Sequence, residues 1–246
     1  MISLEYMVCP HDTAKDPDRW FHFAQYLSQH LGVPVHFSVA LDFDEFHQRM
    51  VQADLVYANP SDTLALVNQN HFSLLAKVVN QSDEVVFVAH PSVPSPSLNL
   101  LDGHDVAAVG SMLATQVALQ LLHRQGITPA RIVDRPTWLS VMAAVAKGEP
   151  AYGIVYKDTY DEMARSTKAM TQLVAVSEER LAFHSLVVSP RAVPHRAALE
   201  TLLTTMATDA KGQDVLQALH VEGWEALAPE ALTPIRELVG QPAVVC

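Results

Sequence analysis

The stretch ADLVYANPSDTLAL, residues 53–66, changes its character in the middle. Residues 53–58 read as an apolar strand, and the residues from Pro60 onward read as a helix, with Asn59, Pro60, Ser61 and Asp62 at the joint. Proline suits the first turn of a helix because its missing N–H has no partner there in any case. Asn59 is a residue type that caps a helix start with its side-chain oxygen. The N–H groups around Ser61 and Asp62 are expected to be free, as those of a helix start are, and to form a receptive edge for a ligand. The Asp62 carboxylate competes for the same positive helix end.

The same step, strand then helix, recurs on both sides of this joint. Residues 2–8 alternate and end at Cys9-Pro10-His11-Asp12. Trp20, Phe23, Ala24, Leu27 and Leu31 then recur at three- and four-residue steps, which predicts an amphipathic helix over 16–31 stopped by Gly32 and Pro34. VPVHFSVAL, FSLLAKVV and EVVFVAH read as strands, and DFDEFHQRM as a short helix. PSVPSPSLNLLDG is the most obvious loop and a candidate boundary. The pattern restarts with strand DVAAVG, helix 112–124, strand ARIVD, helix 137–147, strand AYGIVY and a helix over 157–165. QLVAVSE and LAFHSLVVSP are further strands, the second read as a long strand over 181–189, and the chain is expected to end in helices. Alternation of this kind predicts an α/β fold with largely parallel strands, in two similar lobes with a cleft between them.

Composition narrows the function classes. A chain of 246 residues that is 49% hydrophobic can bury a substantial core. A formal charge of -11 argues against nucleic-acid or anionic-membrane partners, which need a basic face. The apolar runs are far shorter than the roughly 20 residues of a membrane span. The first residues read as a strand rather than a secretory leader, so the expected compartment is the cytoplasm, or the periplasm if a leader was removed. Cys9 and Cys246 lie at opposite ends of the sequence and are expected to be reduced, unpaired thiols. Among the 12 histidines the closest two, His30 and His36, are six apart, so no local zinc motif exists. No cofactor is expected.

Catalytic signatures are missing: there is no GxSxG, P-loop, GxGxxG or HExxH in the sequence. The acids of DFDEF and YKDTYDEM have helical spacing and read as solvated faces. Cys9, His11 and Asp158 are the candidates an enzyme reading would use. Polar or aromatic residues do punctuate the C-terminal ends of strands: His11, Tyr57 with Asn59, Ser111 and Tyr156. Ligands of open α/β sheets bind at those ends, so the pattern points to binding rather than catalysis.

An ordered set of segments then carries a resemblance. DRWFHFAQYLSQHLGVPV, FDEFHQRMVQADLVYANPSDTLAL, SLNLLDGHDVAAVGS, QGITPARI, WLSVMAAVAKGEPAYGIVYKD and DAKGQDVLQALHVEGW together resemble the phosphate/phosphonate (PhnD-like) substrate-binding proteins, a branch of the type 2 periplasmic binding proteins. The resemblance implies a first lobe of 1–87 plus 183–246, an inserted second lobe of 88–182 and a hinge near Val88 and His184. It also implies a small-molecule or oxyanion ligand and an ABC-transporter permease as partner. The alternative use of such a fold is a cytoplasmic ligand-sensing or interaction domain with a signalling partner.

The implied ligand contacts are His11, Tyr57, Asn59, Ser61 and Asp62 in the first lobe and Ser111, Thr115, Trp138 and Tyr156 in the second. The match to the family's anion site is partial. The hydroxyl-rich turn of the family corresponds to SMLAT (residues 111–115), a family tyrosine is replaced by Ser82 or Asp83, a family histidine by Trp138, and a family acid by Ala151. An unpaired phosphate oxygen is costly, so these departures predict a degenerate phosphonate site lined by Met112, Trp138, Tyr152 and Tyr156.

Overall fold

The computed structural model describes residues 3–14 and 16–239. In chain order, β1 (Leu4–Val8), α1 (Pro10–Thr13), α2 (Asp18–Leu31), β2 (Val35–Ser38), α3 (Phe43–Met50), β3 (Leu55–Ala58), α4 (Pro60–Asn70) and β4 (Ser73–Val78) come first. β5 (Val85–Ala89), β6 (Asp105–Ala108), α5 (Leu113–Arg124), β7 (Arg131–Asp134), α6 (Trp138–Lys147), β8 (Tyr152–Tyr156), α7 (Lys157–Glu162), α8 (Arg165–Lys168) and β9 (Gln172–Val176) follow. β10 (Ser185–Val188), α9 (Arg196–Thr205), α10 (Ala210–Leu219), β11 (Trp224–Ala226) and α11 (Thr233–Val239) complete it. The chain divides into two units: one holds the residues up to Gln81 together with Phe183–Thr233, the other Ser82–Ala182 together with residues from Pro234 on.

The first unit has a six-stranded sheet in the order β11-β4-β10-β3-β1-β2. β1 pairs in parallel with β2 and β3, whereas β10 runs antiparallel to β3 and β4. One face of this sheet carries Tyr6, Leu55, Tyr57 and Leu186 against Trp20, Phe23 and Leu27 of α2 and Leu199 and Leu203 of α9. The expected stripe of α2 is therefore its buried face, and Gly32 ends the helix at φ 65°, a left-handed conformation that glycine adopts without steric cost.

The second unit has five strands in the order β7-β6-β8-β5-β9, with β6 parallel to β7 and β8 and with β5 antiparallel to β8 and β9. Every residue of β5 is buried. Val85, Phe87 and Ala89 face the cluster that includes Ala118 and Leu122 of α5, while Val86 and Val88 face Val141, Met142 and Val145 of α6. Side chains of a strand alternate between faces, so a strand covered on both sides must be apolar throughout, which VVFVA is.

Several expectations change. Both sheets are mixed rather than largely parallel, because each parallel trio is flanked by an antiparallel strand. The strand expected over 181–189 shortens to Ser185–Val188, and residues 178–184 take no regular structure. The helix expected over 157–165 breaks at Met163, which is extended (ψ 145°). The C-terminal segment is not all helix, since β11 adds an edge strand antiparallel to β4. The proline-rich loop lies inside the second unit, and the units change at Gln81/Ser82, Ala182/Phe183 and Thr233/Pro234. Val88 sits in the middle of β5, opposite Gly153.

Candidate functional site

In the first unit, the C-terminal ends of β1 and β3 lie side by side: the Cys9 N–H donates to the Tyr57 carbonyl at 2.8 Å. Asn59 caps α4, its Oδ1 accepting from the Asp62 N–H at 3.0 Å. Its Nδ2 donates to Asp62 Oδ2 at 2.6 Å and reaches Cys9 Sγ at 3.7 Å. Asp62 in turn meets His47 Nε2 through Oδ1 at 3.0 Å. The start of α4 is therefore less open than the sequence implies. Pro60 has no N–H, Asn59 takes the Asp62 N–H, and the Asn59 carbonyl takes the Thr63 N–H. Asn59 and Asp62 organise the turn from within, and Ser61 is the exposed side chain of the motif.

Burial pushes the Asp62 carboxyl above its ordinary value of 3.8, against the opposing pull of His47, Asn59 and His184. Tyr57 is only 3% exposed, packed against Trp20 (4.9 Å between centroids), His184 (5.6 Å) and Trp224 (5.7 Å). His184 Nδ1 sits 2.9 Å from Asp12 Oδ2, and the Asp12 carbonyl accepts from Arg19 at 2.7 Å and from the Trp20 indole at 2.9 Å. His11 is exposed and stands edge-on to Phe43 at 4.9 Å. The Cys9 thiol is free and buried, 3.9 Å from His11 Nδ1, and burial followed by the Asp12 charge pushes it up to about 12. A thiol held neutral in that way is not a nucleophile.

In the second unit, the turn after β6 leads into α5. The Gly110 N–H donates to Asp134 Oδ1 at 2.8 Å, and the Met112 N–H donates to the Val109 carbonyl at 3.1 Å. Thr115 is 1% exposed and gives its hydroxyl to the Val109 carbonyl at 2.7 Å, so it ties the turn together from below. Ser111 is exposed. Trp138 opens α6 behind a capping box in which Thr137 and Ser140 exchange hydrogen bonds at 3.1 Å each. Tyr156 ends β8 with its ring 6.5 Å from that of Trp138.

The Tyr156 hydroxyl lies 3.0 Å from Asp83 Oδ1 and 3.1 Å from Asp158 Oδ2. A phenol has one proton to donate, so it can serve only one of the two acids at a time. Burial raises the Asp158 carboxyl, with the Asp83 charge adding to the effect. Burial and the same two acids also raise the Tyr156 phenol, which stays protonated.

The nine sequence-predicted residues thus fall into two groups within their units. His11, Ser61 and Ser111 are exposed, and Trp138 and Tyr156 are half-buried; Tyr57, Asn59, Asp62 and Thr115 have side chains directed into the protein's own bonding or packing. Sequence reasoning passed over His47 and Asp134, and named His184 only near a hinge and Asp83 only in place of a family tyrosine, though each is a partner of one of these groups or turns. They lie 15 or more residues away along the chain from what they touch, so no local spacing marks them. Among the described residues no group of three or more His, Cys, Asp or Glu could hold a metal, and no helix is long and apolar enough to cross a membrane.

Solved structures share this fold at low identity. A Xanthomonas citri protein, XAC2383, solved bound to ATP, has a TM-score of 0.71 at 17% identity over 97% of this chain and 96% of that one. PhnD1 from Prochlorococcus marinus, solved with methylphosphonate, has a TM-score of 0.69 at 15% identity over 96% of each chain. A binding-protein component of an ABC phosphonate transporter from Pseudomonas aeruginosa has a TM-score of 0.65 at 14% identity, over 96% of this chain and 85% of that one. No curated protein matches the sequence. Residues 6–232, nearly the whole described chain, match the family model of the ABC-transporter phosphonate periplasmic substrate-binding protein. At these identities the solved neighbours speak for the fold, whereas the family match speaks for lineage: the chain belongs to the phosphonate substrate-binding proteins of ABC transporters.

Proposed function

We propose that the protein receives a small organic solute at the C-terminal strand ends of its two units and delivers it to the permease of an ABC transporter. His11, Ser61, Ser111, Trp138 and Tyr156 are the proposed contacts, and Tyr57, Asn59, Asp62 and Thr115 hold them in place. The phosphonate site implied by family membership is degenerate in this reading. The observation that carries it is the Trp138–Tyr156 pair: two half-buried aromatic rings with a hydroxyl held between Asp83 and Asp158. Rings and carboxylates favour a ligand with apolar or aromatic surface and hydrogen-bond donors over a bare oxyanion. The proposed compartment is the periplasm, following the family's description. Among the described residues nothing favours the sensing alternative over transport.

A thermal-shift screen over phosphate, phosphonates, sulfur oxyanions, carboxylates and small aromatic compounds tests this reading. The expected result is stabilisation by an aromatic or other organic member, growing with its concentration as ligand linkage requires. A screen in which only inorganic anions stabilise the protein, or in which nothing does, contradicts it.

A further inference from the structure

The turn between β6 and α5 carries an anion of the protein's own. β7 pairs with β6 in register, Ala108 opposite Asp134, and the Arg135 N–H continues the ladder to the Ala108 carbonyl at 2.8 Å. That backbone pairing already fixes the two strands. The Asp134 side chain does something additional: it crosses to the Gly110 N–H, the first donor of the turn, at 2.8 Å. Gly110 has no side chain to hinder the approach, whereas a Cβ there would stand 3.1 Å from Asp134 Oδ1. Farther along, the Met112 N–H is used by the Val109 carbonyl and the Thr115 N–H by the Met112 carbonyl. Met112, the N-cap residue, offers no side-chain cap.

A phosphate-like ligand drawn to the Gly110 N–H would have to sit against the carboxylate that holds it. Two anions cannot share one donor without strong mutual repulsion, and the covalently attached one is always present. We propose that Asp134 is a specificity-determining residue: its carboxylate, seated on the Gly110 N–H, excludes small oxyanions from the β6–α5 turn. The inference rests on the reading of the strand ends as ligand contacts, and it narrows the ligand to one that presents no phosphonate-like group at Ser111. Asp62, capped by Asn59 at the start of α4, places a second carboxylate at a helix start in the first unit.

Titration calorimetry of methylphosphonate, inorganic phosphate and sulfate tests this on the wild type, Asp134→Asn and Asp134→Ala. Asp134→Asn keeps an acceptor oxygen but not the charge, and it guards against an effect of the lost hydrogen bond on folding. The expected order of affinity for at least one of these anions is wild type, then Asp134→Asn, then Asp134→Ala, with a gain of about tenfold or more for the last, the scale of one charge-assisted hydrogen bond. Adding Ser111→Trp to Asp134→Ala is expected to remove the gain. Folded Asp134 variants that bind all three anions no better than the wild type overturn the proposal, as does a gain that survives Ser111→Trp. Trp138→Ala, assayed with the best organic ligand of the screen, separates the two levels. Loss of that ligand without any gain in the Asp134 variants overturns this proposal alone, and unchanged binding overturns the underlying reading and the proposal with it.

Discussion

At Cys9 the enzyme reading meets its test. The thiol is buried beside Asn59 and pushed up to about 12, so at neutral pH it is protonated and shielded. In a Cys246→Ser background, native protein at pH 8 is expected to resist a thiol-specific reagent and to react with one equivalent only after denaturant is added; fast native labelling would restore Cys9 as a reactive group. Asp62 gives a pH dependence of defined sign. Its folded value lies above 3.8, so the folded state holds this proton more tightly than the unfolded chain. The resulting stability is fully present below 3.8 and is lost as pH rises through the folded value. Melting curves are therefore expected to show wild type gaining on Asp62→Asn as pH falls through that window, and a gap that stays constant or moves the other way contradicts the assignment. Which residues of the site could be read from sequence follows from the same contacts. The Asn59 cap was legible because Asn-Pro before an apolar run has one mechanism. The role of Thr115 was not, because a hydroxyl that meets a ligand and one that meets the carbonyl six residues behind it look identical in sequence.

Among the elements, strands with an apolar run on both faces, such as β5, were legible as strands, and α2 was legible from its stripe. β11 was not, since only Trp224 of its three residues is buried and its place is fixed by pairing with β4. The long strand expected over 181–189 is cut short by partners far along the chain. Just ahead of it Glu84, 7% exposed, accepts from Ser82 Oγ at 2.9 Å, Ser177 Oγ, the Glu179 N–H at 3.1 Å and the Arg180 N–H at 2.7 Å; within it the Ala182 carbonyl accepts from the Asp83 N–H at 2.7 Å and the His184 ring meets Asp12. The start of α6 matters for function because Trp138 is its first residue. Thr137→Ala removes the half of the capping box in which Thr137 Oγ1 accepts from the Ser140 N–H and leaves the Thr137 N–H bonded to Ser140 Oγ, and equilibrium urea unfolding is expected to show a loss of about 1 kcal/mol. A loss indistinguishable from zero would mean that solvent or a neighbour satisfies the Ser140 N–H equally well.

Across the whole molecule, the two units repeat one strand plan. β2-β1-β3-β10-β4 in the first corresponds to β7-β6-β8-β5-β9 in the second: a parallel trio, an antiparallel fourth strand and a fifth antiparallel to it. Under that correspondence Tyr57 and Tyr156 lie at or next to the end of the third strand of each trio, and the segments after β1 and β6 carry His11 and Ser111. The sequence showed this likeness as a rhythm of strands and helices and not as a repeat of residues, because topology constrains burial far more than identity. It could not show that carboxylates rather than hydroxyls would line the turns, since Asp134 and Asp83 reach their partners only in the folded chain. The central claim, an organic solute bound through these strand ends, is tested most directly by titration calorimetry of the best organic ligand from the screen against wild type and Trp138→Ala. The expected result is saturable binding of one ligand per chain to the wild type and a loss of about tenfold or more in the variant, the scale of a buried aromatic contact. Equal affinity in a folded Trp138→Ala protein would contradict the account.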